Sequence, residues 1–404
     1  MPFHEDGDGN QSVTGEFVVA MRDLRYVLGR LSRLGVNLAK VTNEPSDALD
    51  LALVRIAAVG QAAAIVRPQL PAPDSGTTES PTETVIRAIL QRENGDTSRW
   101  VPVVGRNLAV NLHATPDIGF GGNGYPDPVD GADVPPRQFG ALERNRVRVG
   151  VVDTGMVSHR DLAGRWGHAG GRVIDPLAPN HAAGHGVFIS GLIAKRAPNC
   201  ALETYGVLDE NDGRASVWEV AKAVASLASS CDVINLSLSC FTKDDDPPFA
   251  LRRAIERVGP DVVIIAAAGN HGNVAPSEIL SPTSQSWPAA FDRVVAVTAH
   301  DNGEVPMWSF RGPWVRLVAP GVNVTSCYLK GEVKIRYAAN DSGDPVRTFS
   351  GYARWSGSSF AAANVSGAIA GLMETEKMTA PEALHWLEEQ PPNNEDGIWA
   401  YQPS

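Results

Sequence analysis

The chain has 404 residues, of which 43 % are hydrophobic and 20 % are charged, and its formal net charge is -11. This composition is typical of a globular protein with room for two or three domains. The negative charge disfavours nucleic acid and anionic membranes as partners, and no apolar run approaches the ~18 residues of a membrane span.

The N-terminal stretch is polar. Residues 1–15 are rich in Gly, Asp and Asn, and we predict a disordered tail. A secretory signal begins with basic residues followed by an apolar run, whereas this chain begins with acidic and polar residues. We therefore expect a cytoplasmic protein. The four cysteines, Cys200, Cys231, Cys240 and Cys327, lack CxxC spacing, which favours free buried thiols and leaves one disulfide open.

Residues 16–140 are predicted to form a smaller α+β N-terminal region. Its expected elements are a strand at 17–21, a helix at 24–34, strands at 36–41 and 51–56, and a helix at 83–91. The stretch around 67–84 is rich in Pro, Ser and Thr and reads as a linker or exposed loop. A Gly/Pro/Asp-rich stretch at 119–136 leads into residues 141–404, the predicted main domain.

The main domain alternates short apolar runs with helical segments. The predicted strands are 147–152, 202–207, 233–238, 262–268, 294–298 and 315–318, and the predicted helices are 185–196, 216–229, 248–258 and 359–377. Near-continuous Val and Ile runs are typical of strands covered on both faces. We therefore predict an α/β fold, a parallel sheet with helices on both faces, with its site at the carboxyl ends of the strands.

Four polar residues lie at such strand ends or helix starts. Asp153 follows the first strand, His185 stands between glycines at a helix start, and Asn270 ends the run that precedes it. Ser359 lies where an Ala-rich helix begins, so the backbone N–H groups there can stabilise a negative oxygen. Singly, each has an ordinary structural explanation as a cap or turn residue.

Together these residues supply the parts of a nucleophilic hydrolase. An aspartate can orient a histidine base, the base can activate a serine, and an amide can bind the oxyanion. The order of the three residues along the chain, Asp, His, Ser, is the order found in subtilisin. It differs from the orders in chymotrypsin and the α/β-hydrolases. That order and the lack of a Gly-x-Ser-x-Gly motif centred on the serine argue against a lipase or esterase.

The sequence from about 147 to 377 resembles the catalytic domain of subtilisin-like serine proteases, the subtilases. The resemblance rests on Val-Val-Asp-Thr-Gly at 151–155, His-Gly-Val at 185–187 with Gly191, and Gly-Ser-Ser-Phe-Ala at 357–361. It implies a subtilisin-like catalytic domain over 141–404 and a serine endopeptidase with the triad Asp153, His185 and Ser359. Asn270 would then assist the oxyanion hole.

The same resemblance implies a groove that binds substrate as an extended strand. Its two walls are expected to be the runs Ser237, Leu238, Ser239 and Ala267, Ala268, Gly269. The groove should accept a protein or peptide substrate. His271 beside Asn270 is expected to be a solvated histidine at the groove rim.

Some residues depart from the family pattern. Val187 replaces the usual Thr and Ala363 the usual Pro, while Ser239 and Cys240 replace glycines of the groove. Larger side chains there are expected to narrow the first specificity pocket or disturb extended-strand binding, and so to restrict cleavage. A catalytically quiet or autoinhibited peptide-binding protein is the alternative function.

No metal site or cofactor is predicted. Residues 209–213 lack the spacing of a calcium loop and read as a polar turn, and although many subtilases bind calcium, no residue here is assignable to it.

The role of the N-terminal region stays open between two hypotheses. It vaguely resembles the family's inhibitory propeptides, in which case autocleavage is expected between about 127 and 144. Alternatively, it is a permanent recognition domain that contacts a regulatory partner.

Overall fold

A computed structural model describes residues 3–5, 10–71, 79–92, 100–112, 124–134, 146–174, 179–277, 280–335, 345–392 and 394–402. Within these ranges, no helix combines the length and the hydropathy that a membrane crossing requires. The four cysteines are free and buried, as expected.

The N-terminal region is an antiparallel sheet with helices packed against it. Its elements are β1 (Phe3–Glu5), β2 (Gln11–Ala20), α1 (Leu24–Arg33), β3 (Val41–Ser46), β4 (Leu51–Ile56), α2 (Val59–Val66), α3 (Pro81–Leu90) and β5 (Val104–Asn111). Strand β2 lies at the centre, between β4 and β5, and β3 forms one edge beyond β4.

Several N-terminal predictions need correction. The tail is not disordered throughout, because 3–5 pair with 11–13 and β2 begins at Gln11; residues 1–2 and 6–9 lie outside the described part. The strand expected at 36–41 is wrong: the Asn37 side chain caps a 3-10 turn at 38–40, and the strand follows as β3. The helix expected at 83–91 starts at Pro81, since Ser80 and Glu83 form a capping box.

The main region holds the remaining elements. They are β6 (Asp127–Pro128), β7 (Arg148–Thr154), β8 (Trp166–Gly171), α4 (His185–Arg196), β9 (Ala201–Leu208), β10 (Arg214–Ser216), α5 (Val217–Leu227), β11 (Val233–Leu236), α6 (Phe249–Arg257), β12 (Val263–Ala267), β13 (Val294–His300), β14 (Val315–Pro320), β15 (Val324–Lys334), β16 (Val346–Trp355), α7 (Ser358–Thr375), α8 (Ala380–Glu388) and β17 (Trp399–Ala400). The hairpin of β15 and β16 and the helix α8 were not predicted.

The predicted parallel sheet is confirmed. Its strand order is β17-β14-β13-β12-β11-β7-β9-β8, and every pair is parallel except the edge pair β14 and β17. Alternate residues of a strand face opposite sides. In β12, Val263 and Ile265 join the core that contains α4 and α7, whereas Ile264 and Ala266 join the core that contains α5 and α6. The sheet is therefore covered by helices on both faces.

The N-terminal sheet contains one strand of the main region. Strand β10 pairs antiparallel with β5, so the two parts of the chain share a sheet. Beside this junction the Glu44 carboxylate of β3 accepts hydrogen bonds from Trp218 Nε1 (3.1 Å) and Lys222 Nζ (2.5 Å) of α5. The boundary predicted near 140 falls in 135–145, outside the described residues.

Candidate active site

Asp153 and His185 are brought into direct contact at the carboxyl edge of the sheet. Asp153 is the penultimate residue of β7, and His185 is the first residue of α4. The imidazole Nδ1 lies 2.8 and 2.9 Å from the two carboxylate oxygens, and the residues are 0 % and 2 % exposed. Because a carboxylate only accepts, Nδ1 carries the proton and Nε2 is left as an acceptor.

The close approach of α4 to β7 depends on Gly186. A methyl group added there would lie 2.7 Å from the Thr154 carbonyl oxygen, which is too close for any side chain. With glycine in place, the Gly186 N–H donates to Thr154 Oγ1 (3.0 Å), and the Thr154 N–H donates to Asp153 Oδ1 (2.7 Å). These bonds hold the carboxylate against the histidine.

Ser359 is the second residue of α7, which begins at Ser358, one residue earlier than predicted. Its hydroxyl lies 3.5 Å from the Ser237 carbonyl oxygen, and within the described residues this is its hydrogen-bond partner. The Phe360 ring beside it packs 5.6 Å from the His185 ring, centroid to centroid. The start of α7 therefore lies against the imidazole, although the serine hydroxyl is turned toward Ser237.

Asn270 is anchored to the same helix start. Its Oδ1 accepts the backbone N–H of Ser358 at 2.9 Å, so its Nδ2 remains available as a donor. A methyl group at Gly357 would lie 3.6 Å from that Nδ2, which places the amide against the residue before α7. The Ser359 N–H belongs to the first helical turn, where backbone donors have no intrahelical acceptor.

The end of strand β5 of the N-terminal region lies between two segments of the main region. Asn111 at the end of β5 pairs with Ser239 through two backbone hydrogen bonds, of 2.8 and 2.9 Å. On its other side, the Leu112 N–H donates to the Gly213 carbonyl oxygen (2.9 Å), and Val110 is paired with Ala215 of β10. A peptide strand thus lies between the 237–239 run and the 213–216 run.

The placement of the expected groove residues differs in part from the expectation. Of the first expected wall, Ser239 pairs with Asn111 of β5 through backbone atoms alone, so its side chain does not prevent the pairing. The partner on the opposite side is 213–216 rather than Ala267, Ala268 and Gly269. The sequence analysis missed that segment, whose only signal was a turn ending in Gly213.

Ala267 closes β12, and Ala268 and Gly269 lead from it to Asn270. Ala268 donates its N–H to the Val297 carbonyl oxygen (2.9 Å), and Gly269 has a φ of 111°, a conformation that favours glycine. The 267–269 run therefore lies on one side of the 237–240 run, and the 213–216 segment lies on the other side. The 267–269 run leads into Asn270.

The expectation of a solvated His271 is wrong. The residue is 0 % exposed, with its ring stacked on Phe310 (4.5 Å) and edge-on to Phe241 (4.7 Å). Burial lowers the pKa of His271 to about 4, against a weaker opposing effect of its hydrogen bond to Ser284. The imidazole is therefore neutral at neutral pH.

One group of potential metal ligands occurs in the described part of the chain. His159, Asp161 and Cys327 have donor atoms within 4.8 Å of one another. Both nitrogens of His159 are already engaged, by the Gly351 carbonyl (2.9 Å) and the Asp161 N–H (3.2 Å), and Asp161 accepts from Tyr352 (2.8 Å). These bonds explain the cluster without a metal.

Comparisons with known proteins agree with this architecture. The sequence model of the Subtilase family matches residues 144–395. Subtilisin BL of Lederbergia lenta is 31 % identical over 243 residues, covering 57 % of this chain and 77 % of that protein. A thermostable alkaline protease of Halalkalibacterium halodurans is 33 % identical over 197 residues, covering 46 % of this chain and 50 % of that protein.

Coverage of the relatives is uneven. The chain spans 31 to 50 % of the length of three of the curated relatives it matches. Among solved structures, a lanthipeptide protease aligns with a TM-score of 0.49 at 23 % identity, over 64 % of this chain and 84 % of that one.

Proposed function

Because the chain belongs to the subtilase family of serine proteases, we propose that it is a serine endopeptidase with Ser359 as its nucleophile. The observation that carries the proposal is the buried pair of Asp153 and His185 against the start of α7. It provides an oriented base beside a serine on a helix N-terminus.

In the proposed mechanism, Ser359 rotates from the Ser237 carbonyl to Nε2 of His185 when substrate binds. His185 removes the hydroxyl proton as Ser359 attacks the peptide carbonyl, and then delivers that proton to the leaving amine. Asp153 holds the proton on Nδ1 and stabilises the imidazolium. Catalytic hydrogen bonds often form fully only in the substrate complex, so the bond from Ser359 to His185 can replace the present 3.5 Å contact with Ser237 when substrate binds.

The negative oxygen of the tetrahedral intermediate would be bound by two donors, the Asn270 carboxamide and the Ser359 N–H. The bond from the Ser358 N–H to Asn270 Oδ1 orients the carboxamide so that its NH₂ group is free to donate. Fixed donors of this kind stabilise charge that develops only during reaction.

We further propose that substrates bind as β5 does, and that β5 therefore keeps the groove closed. An antiparallel strand pairs its residues in opposite order. Two positions beyond the Asn111–Ser239 pair, a bound strand would face Ser237, the residue in contact with Ser359. Counted along the sequence from Asn111, the bond proposed for cleavage is that between His113 and Ala114, which lies outside the described residues.

This favours the inhibitory-propeptide hypothesis and moves the expected autocleavage from 127–144 to the bond after His113. Residues 127–128 form β6, which pairs with β16 rather than with the groove. The buried side chains of Val110 and Leu112 (0 % and 6 % exposed) also favour substrates with aliphatic residues at these alternate positions.

Three further expectations remain predictions: a cytoplasmic location, catalysis without a cofactor, and a regulatory partner that binds the N-terminal region.

The alternative, a catalytically quiet peptide-binding protein, is favoured by the occupied groove and the turned serine hydroxyl. Labelling of the intact chain and of its self-cleaved products with a fluorophosphonate separates the two hypotheses. We expect labelling of wild type and of Ser356→Ala, a neighbouring control serine, and no labelling of Ser359→Ala. Two fragments that are absent from Ser359→Ala, with a mass boundary at 113, would support autocleavage. Equal labelling of all three proteins, or of none, would refute the endopeptidase.

A further inference from the structure

The N-terminal hairpin, residues 3–5 and 10–13, is joined to the sheet that contains β5. Strand β1 pairs antiparallel with the first residues of β2. In the same part of β2, Ser12 also pairs with Leu108 of β5. Ser12 and Val13 are 0 % and 1 % exposed, so the inner strand of the hairpin is covered. The hairpin and β5 are therefore connected through β2.

The first contact of the hairpin with the main region involves an aromatic ring. The guanidinium carbon of Arg214 lies 5.9 Å from the centroid of the Phe3 ring, within the range of a cation–π interaction. Arg214 belongs to β10 and is paired directly with Asn111 of β5. The hairpin thus packs on the 213–216 segment at the position where that segment pairs with the end of β5.

The second contact is a hydrogen bond to the turn that follows the 237–240 run. Asn10, which is 6 % exposed, accepts the backbone N–H of Lys243 on its side-chain Oδ1 (3.0 Å). Lys243 begins a 3-10 turn, and the first N–H groups of a helical turn have no acceptor within it. The hydroxyl of Thr242, the residue before the turn, donates instead to the Asp246 carbonyl oxygen (2.8 Å). Asn10 therefore caps this turn from a distant part of the chain.

The two contacts lie on the two segments that enclose the end of β5. Phe3 contacts the 213–216 segment itself, and Asn10 contacts the continuation of the 237–240 run. Because β2 joins the hairpin to β5, an N-terminal region that withdraws β5 as an intact sheet must break both contacts. Neither contact involves a residue of the proposed catalytic machinery, so each can be removed without changing that machinery.

We propose that the N-terminal hairpin is a clamp that keeps β5 between these two segments, both before and after self-cleavage. Hydrolysis of the bond between His113 and Ala114 leaves the hairpin, its two contacts and β5 together on one fragment. The cut chain then stays closed until the hairpin releases, and removal or displacement of the hairpin is an activating step. The inference rests on the proposed function, because the closure matters only if Ser359 is active.

Hydrogen exchange tests the clamp without relying on catalysis. In the full-length Ser359→Ala chain, exchange of backbone amides 108–112 is followed by mass spectrometry, with 263–267 of β12 as an internal reference. Asn10→Ala removes the capping acceptor and should speed exchange at 108–112 about 3- to 10-fold. Phe3→Leu removes the aromatic ring and should speed it about 2- to 5-fold. Exchange at 263–267 should not change. Thr42→Ala, at an exposed position of the edge strand β3, is the matched control and should leave both rates unchanged.

The same substitutions in the chain that retains Ser359 test the consequence for activity. The initial rate of hydrolysis of a fluorogenic Ala-Val-Asn-Leu-His peptide, which copies residues 109–113, should rise by the same factors. After self-cleavage, the fragment 1–113 should stay with the rest of the wild-type chain on gel filtration and be lost sooner from Asn10→Ala.

The outcomes separate the clamp from the proposed function. Unchanged exchange at 108–112 in both Asn10→Ala and Phe3→Leu would overturn the clamp, and so would faster exchange without faster hydrolysis in a chain whose Ser359 is labelled by a fluorophosphonate. Faster exchange at 108–112, together with no peptide hydrolysis and an unlabelled Ser359, would support the clamp and overturn the endopeptidase alone.

Discussion

Replacing Asn111 by proline would weaken the hold of the groove on its own N-terminal strand. The Asn111 N–H donates to the Ser239 carbonyl oxygen, and the Ser239 N–H donates back. Proline has no N–H, so the first bond is lost. The carbonyl oxygen of Ser239, a residue that is 8 % exposed, then lacks its donor. We expect the strand to leave the groove more often, so that substrate enters faster.

The size of the effect follows from the contact. A lost hydrogen bond with one buried partner left unpaired costs about 1–3 kcal/mol. If the open state is a minor one, its population rises by about 5- to 150-fold. The initial rate of hydrolysis of a peptide at low concentration should rise by the same factor, with the integrity of the chain followed on a gel.

The matched control is Asn111→Ala, which changes the side chain but keeps the N–H. Its rate should stay within about threefold of wild type, because backbone groups make the strand pairing. Equal rates for the proline and alanine variants would refute the view that this strand pairing closes the groove.

Three further outcomes are expected. Asn270→Ala should lower kcat by about 100- to 1000-fold, and a smaller loss would count against the oxyanion role. Urea unfolding should show a stability loss of about 1–3 kcal/mol, because the Ser358 N–H loses its acceptor. The buried neutral His271 has a folded pKa of about 4, below its ordinary 6.5, so it contributes stability above pH 6.5 that is lost as the pH falls toward 4. Urea unfolding should show a loss of about 3 kcal/mol over that range, flattened in His271→Phe. Burial raises the pKa of Glu44, but hydrogen bonds from Lys222, Arg55 and Trp218 outweigh it and lower the pKa to about 2. Glu44→Gln should loosen the N-terminal region by about 1 kcal/mol, discounted for solvent exposure, and speed peptide hydrolysis about fivefold; a wild-type rate would contradict this.

Sequence patterns located the parallel sheet and the residues at its strand ends because both signals are local. Val263–Ala267 is a continuous apolar run and Val233–Leu236 is interrupted only by Asn235, while Asp153 lies at the end of β7 and His185 begins α4. Asp153 was expected at the site because it ends a strand of the parallel sheet, whereas its pairing with His185, which begins a helix, followed from the resemblance of the two motifs to those of the subtilases.

The parts that escaped prediction depend on partners distant in the chain. Strand β10 has three residues and becomes a strand only by pairing with β5, about a hundred residues earlier. The burial of His271 depends on Phe241 and Phe310, which flank it in space but not in sequence. The orientation of the Ser359 hydroxyl is a rotamer choice that no sequence pattern encodes.

Helix α7 runs through the interior of the domain, and every residue from Ser358 to Ala370 is buried. Such a segment has no route to local fraying at its N-terminal half, so its amide protons should exchange with solvent only through cooperative unfolding of the whole domain. The serine it carries would then keep its position until the domain melts, and thermal inactivation and loss of tertiary structure should follow a single curve.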